Sequence, residues 1–161
     1  MLVTKDGFYY EAAPYGRVCY IPAGIPVVPA SNLPANGTPQ YWVGEWKGMN
    51  EQAQSWQRNY GFLVDASQVA ESPFVVGQRV RILPCGSWPA VKKMRYGIIQ
   101  GATQQPGMCV LNRQQPYPAP LAHNAAGEWV YIVASWQSPN AGAMWFTAEG
   151  LQPMKRVCKN N

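Results

Sequence analysis

Val76-Gly77-Gln78-Arg79-Val80-Arg81-Ile82-Leu83-Pro84 alternates, with Val80 and Ile82 on one side and Arg79 and Arg81 on the other. A period of two residues belongs to a β-strand with one sheltered face, because successive side chains point to opposite sides of the pleat. The second decisive stretch is Glu128-Trp129-Val130-Tyr131-Ile132-Val133-Ala134-Ser135-Trp136, the strongest strand in the chain. It sets Val130, Ile132, Ala134 and Trp136 on one side and Trp129, Tyr131 and Val133 on the other. One side fills a core, so the other must meet a lobe, a protomer or a partner.

Between these two, Tyr96 to Gln100 and Met108 to Leu111 read as strands. Trp145 to Ala148 is a further strand, closed by the turn Glu149-Gly150-Leu151-Gln152-Pro153. Towards the N-terminus, firm structure is expected from Arg17 to Pro22, from Ala23 to Pro29 and from Tyr41 to Trp46. Their prolines confine them to edges or strand ends, since each removes a ladder donor. One helix is expected: Asn50 can cap it, Glu51 suits its first turn, and Met49, Ala53, Trp56 and Tyr60 recur at helical spacing. Gly61 stops it, Phe62-Leu63-Val64 returns to strand, and Asp65 to Val69 forms a 3₁₀ turn.

Composition agrees with sheet and turns. The 161 residues include 15 Gly, 15 Pro, 9 Tyr and 7 Trp, and 13% are charged. A helical protein of this size carries more Glu, Lys and Ala and fewer prolines. The net charge of +5 is unevenly spread: residues 1–72 carry −2 and residues 73–161 carry +7. Such a split suggests that the halves attract one another, or that only the second meets an anionic partner.

No basic segment followed by an apolar run opens the chain, so no secretory signal is expected. No window approaches the roughly 18 apolar residues of a membrane span. The cysteines Cys19, Cys85, Cys109 and Cys158 are too far apart for a metal knuckle or redox dithiol. They read as reduced thiols of a cytoplasmic protein, with a Cys85–Cys109 bridge as the alternative for an exported one. No cofactor or metal is expected.

The halves end alike. Tyr41 to Trp46, a spacer and Gly61 to Gln68 are echoed by Trp129 to Trp136, a spacer and Trp145 to Gln152. Two aromatic strands followed by an acidic-small-x-Gln turn suggest a tandem repeat.

Residues 74–154 resemble bacterial SH3-like or KOW-like small β-barrels. The likeness lies in the opening Val76-Gly77-Gln78-Arg79-Val80-Arg81-Ile82, in Tyr96-Gly97-Ile98-Ile99, and in the aromatic strand and 3₁₀ turn from Trp145 to Leu151. The resemblance implies a mainly β fold: two small SH3-like barrel lobes, 1–72 and 73–161, packed together, with one short helix in the first. Glu71-Ser72-Pro73 is the expected boundary. Such barrels host many activities, so the fold alone carries no function. One catalytic SH3-like family, the plasmid-borne trimethoprim-resistant dihydrofolate reductases, depends on a Val-Gln-Ile-Tyr stretch. The comparable Val130-Tyr131-Ile132-Val133 lacks the glutamine and misplaces the tyrosine.

No catalytic constellation is legible. The single histidine, His123, sits in a Pro/Ala loop, and a Cys–His dyad would need a cysteine beside it in space. Protein recognition is the favoured class, by a non-catalytic adaptor or regulator of bacterial or phage type. Trp42, Trp46, Trp129, Tyr131, Trp136 and Trp145 are its candidate contacts. The alternative is nucleic-acid binding through Arg79 and Arg81, with Lys92, Lys93 and Arg95 in the adjoining loop and Trp88 and Tyr96 as stacking rings.

Overall fold

The computed structural model describes residues 1–31, 37–84, 95–110, 122–135 and 143–154. It is mainly β with one short helix, as the alternating stretches require. The chain divides into two compact units, Met1–Gly77 with Gly101–Gln104, and Gln78–Gln100 with Gln105–Asn161. Residues Ser72 to Gly77 group with the first unit. Ser72 explains part of this: its N–H donates to Met1 O and its hydroxyl to Phe74 O at 2.6 Å, tying the segment to the N-terminus.

In the first unit, β1 (Leu2–Thr4) pairs antiparallel with β7 (Val69–Glu71). β2 (Phe8–Ala12) and β3 (Gly16–Ile21) form a hairpin with a register shift at Tyr10/Glu11. β4 (Val27–Pro29), β5 (Gln40–Val43) and β6 (Leu63–Asp65) form a three-stranded sheet. The expected barrel does not close. Among the described residues, β1 meets the chain before β4 at the isolated bridge Val3↔Pro26, beside which Thr4 N–H donates to Ile25 O and Gly24 N–H donates to Thr4 O. Pro26 is itself a partner in that bridge and, like Pro22, has no N–H to extend the pairing into a ladder. Thr4 does the joining instead: its buried hydroxyl donates to Pro22 O at 2.7 Å and accepts from Ile25 N at 3.0 Å.

Helix α1 (Glu51–Asn59) is capped by Asn50, whose side chain accepts from Ala53 N at 2.8 Å. This leaves one fewer orphan donor at its N-terminus. After β6, Asp65 caps a 3₁₀ turn over Ala66–Gln68, accepting from the N–H and hydroxyl of Ser67. The core gathers Ile21, Ile25, Val43, Ala53, Phe62 and Val64.

The second unit holds a five-stranded sheet in the order β13-β12-β9-β8-β14. Its strands are β8 (Arg79–Ile82), β9 (Arg95–Thr103), β12 (Val130–Ser135), β13 (Ala143–Thr147) and β14 (Leu151–Pro153). β10 (Cys109–Val110) and β11 (Ala122–His123) pair apart from it. Among the described residues this sheet, too, ends at β13 and β14 without closing. The pattern of β8 is as the alternation demands, with Val80 and Ile82 buried and Arg79 exposed. Gly97 in β9 permits close packing: a Cβ there would lie 2.5 Å from Val133 Cγ1 and 2.8 Å from Ala134 O.

The two units share one detail. In each, a 3₁₀ turn leads directly into the last strand, which pairs antiparallel with the first: β7 with β1, β14 with β8. The register of the sequence echo shifts, however. Asp65 is the cap of its turn, whereas Glu149 is inside the turn Ala148–Gly150, which Thr147 precedes as cap residue. No helix among the described residues is long and apolar enough to cross a membrane.

Candidate functional site

Ring contacts in the first unit spread outward from one buried side chain. Phe62, fully buried, touches Tyr10 (centroids 5.0 Å apart, edge-on) and Trp46 (5.7 Å). Tyr10 reaches Trp56 at 6.4 Å, and Trp56 meets Tyr15 at 5.7 Å and Tyr60 at 4.6 Å. The last two rings are the exposed end, Tyr15 at 68% and Tyr60 at 61% exposure. Edge-to-face pairs of this kind contribute about 0.5–1.5 kcal/mol each beyond their burial.

Local sequence places each ring. In β2, Phe8, Tyr10 and Ala12 turn inward, while Tyr9 and Glu11 face solvent. Tyr15 lies in the hairpin turn, where its N–H donates to Ala12 O. Trp56 follows buried Ala53 by three residues on the same helix face, and its indole N–H donates to Gly61 O at 3.0 Å. The N–H groups of Tyr60 and Gly61 both return to Trp56 O, ending the helix. Gly61 has φ +73°, and Trp42 lies across it.

On the other side of Phe62, Trp46 borders two cavities, of about 390 and 300 Å³. The larger is lined by Met49, Gln54 and Gln57, with Glu45, Lys47 and Arg58 supplying both signs of charge. Gln57 donates to Val43 O at 3.3 Å, and its buried Oε1 has no hydrogen-bond partner. The smaller reaches Cys19, Tyr20 and Pro22 on β3 and the loop after it. Burial pushes the Cys19 thiol above its ordinary pKa. Tyr20 also pairs edge-on with Tyr9 across the hairpin at 5.2 Å, and Arg17 lies 4.4 Å over the Tyr9 ring.

The rings expected at a partner surface separate. Trp42 is partly exposed at 40%, and Trp46 is half-buried against the core. Trp129 and Tyr131 are buried, at 7% and 0%, stacked with centroids 6.3 Å apart. They are therefore buried in the folded chain and do not present a surface; β12 is sheltered along almost its whole length. Trp145 is half-buried opposite Ile132, and Trp136 lies outside the described residues.

Of the basic candidates, Arg79 and Arg81 do share a face. They stand opposite Ile98 and Tyr96, and the Arg81 guanidinium sits 5.8 Å over the Tyr96 ring. Arg81 is half-buried, with a buried Nε that lacks a hydrogen-bond partner. Arg95 stands opposite Ile82 and so belongs to the other face, at the strand end. Trp88, Lys92, Lys93 and Cys85 lie outside the described residues.

Sequence reasoning missed Tyr9, Tyr15, Tyr20 and Tyr60, which with Trp42 are the exposed rings of the first unit among the described residues. The alternation Phe8-Tyr9-Tyr10-Glu11-Ala12 was the available signal. No protein-family model, curated protein or solved structure matches the chain. Among the described residues no group of three His, Cys, Asp or Glu side chains is placed to hold a metal ion.

Proposed function

We propose that this chain is a non-catalytic binding protein that recognises an extended segment of a partner protein through the aromatic surface of its first unit. The observation that carries this is the run Tyr15–Trp56–Tyr60, whose outer rings stay exposed while Phe62 anchors the inner end. Rings held by a packed core are rigid, so little side-chain entropy is lost when a partner covers them. Aromatic grooves on small β domains take extended and proline-bearing peptides in this way. The −2 charge of residues 1–72 favours a neutral or basic segment. The recurring turn-to-last-strand pairing supports a tandem repeat of SH3-like units. The free thiols of Cys19 and Cys109 suit a reducing, cytoplasmic compartment.

Selection from a displayed random-peptide library tests the reading. Recovered peptides should bind the wild-type chain and lose about tenfold or more in affinity on Tyr15→Ala/Tyr60→Ala. Peptides indifferent to that double substitution, or none recovered, would remove the proposal. The nucleic-acid alternative rests on Arg81 lying over Tyr96 beside Arg79. It requires steeply salt-dependent binding of oligonucleotides that weakens in Arg79→Ala/Arg81→Ala.

A further inference from the structure

The strands β10 and β11 are only a two-pair ladder, with Cys109 opposite His123 and Val110 opposite Ala122. Directly opposed residues project to the same face. Cys109 Sγ accordingly lies 3.4 Å from His123 Nε2, both side chains being exposed. The sequence separates them by fourteen positions and supplies no other histidine.

So short a ladder does not hold itself in water. Asn124, beside His123 and 4% exposed, clamps it. Its Oδ1 accepts from Met108 N at 2.8 Å, and its Nδ2 donates to Gln105 O at 2.9 Å and Glu128 O at 3.1 Å. Its backbone N–H donates to Met108 O and its carbonyl accepts from Gly107 N. The residue before Cys109 and the residue after His123 are thus fixed to each other, which keeps sulfur and imidazole in register.

We propose that Cys109 is a nucleophilic thiol with His123 as its base, forming a site of reversible mixed-disulfide formation with small disulfides. In the step, the Cys109 S–H proton passes to His123 Nε2 and the thiolate attacks one sulfur of R–S–S–R. A Cys109–S–S–R bond forms as the R–S–S–R bond breaks. The departing thiolate takes the proton from the imidazolium and leaves as R–SH. Cys109 is oxidised and the small disulfide reduced, with no other reactant needed. An exposed thiol next to a proton acceptor is the environment that makes cysteine reactive. Cys19 is its opposite, half-buried and held protonated by desolvation. This inference is independent of the aromatic surface.

A chain carrying Cys19→Ser, Cys85→Ser and Cys158→Ser leaves Cys109 as the sole thiol. Its pseudo-first-order rate with an aromatic disulfide at about pH 7 should fall about tenfold or more when His123→Ala is added. His123→Gln, which keeps a polar side chain but takes no proton, should be equally slow. In denaturing urea all three should react alike, because the geometry is gone. Native rates that agree within about twofold with and without His123→Ala, full speed in His123→Gln, or a difference that persists in urea would each overturn the proposal.

Discussion

Trp42 lies so close over Gly61 that a Cβ at position 61 would stand 2.8 Å from its ring. Gly61 also has φ +73°, which a side chain resists. Gly61→Ala should therefore cost about 1–2 kcal/mol from the backbone alone, with more from displacing the indole. In a Trp42→Ala background the same substitution should lose the ring contribution and cost less. Urea unfolding of the four chains of this cycle measures the difference; equal costs in both backgrounds would show that the ring is not pressed on the glycine.

Phe62 and Tyr15 stand at opposite ends of one chain of rings and should behave oppositely. Phe62→Ala empties a fully buried site and is expected to cost about 3–5 kcal/mol. Tyr15→Ala removes a mostly exposed ring and should cost under about 1 kcal/mol, while weakening the recovered peptides. Denaturation midpoints and peptide affinities together test the pair. A large stability loss at Tyr15 would mean that its ring serves the fold.

Asn50 is the capping acceptor of α1. Asn50→Ala should destabilise the first unit by about 1 kcal/mol, and Asn50→Asp should retain most of the cap. Amide exchange in the first turn of the helix reads this directly; unchanged protection in Asn50→Ala would show that the helix end is held by packing.

Burial raises the pKa of Cys19 in the folded chain. The folded state then keeps its proton at pH values where the unfolded chain has lost it. Stability contributed by the neutral thiol is present below the unfolded pKa of about 8.5 and declines as pH rises through the folded value. Between about pH 8 and pH 10 the wild-type chain should therefore lose more stability than Cys19→Ala. Parallel pH profiles for the two would show that the thiol does not titrate with unfolding.

Reading the sequence captured elements whose cause is local. The alternation of Arg79-Val80-Arg81-Ile82 fixed both the strand and its buried face, because pleat geometry leaves no other choice. Asn50, Glu51 and Gly61 marked the helix within a residue at each end, since capping and φ restrictions act over one turn. The strand β1 was missed because three residues are too few to display a period. β2 does alternate, with Phe8 and Tyr10 inward, but an aromatic ring, Tyr9, also stands on its outward side.

What escaped the sequence depends on partners distant along the chain. The apolar run Val130 to Ala134 requires cover on both faces without saying whether a lobe, a protomer or a partner supplies the second, and the folded chain itself shelters the strand almost throughout. Arg95 belongs with Arg79 and Arg81 by charge alone, and only the register with Ile82 puts it on the other face. The cysteine that stands beside His123 was undetermined until a two-pair ladder chose Cys109.

Local chemistry along the chain already required a mainly β fold with one capped helix, the side chains that β8 buries and the 3₁₀ turn after β6, whereas Leu151–Pro153, expected to belong to a closing turn, is a strand paired with β8. Long-range packing sets which aromatic rings stay in water, leaves the sheets open among the described residues, and brings one thiol to the imidazole. The physical reason is range: dihedral restriction, pleat alternation and capping act within a few residues, whereas ring burial and strand register depend on which distant segments share a ladder.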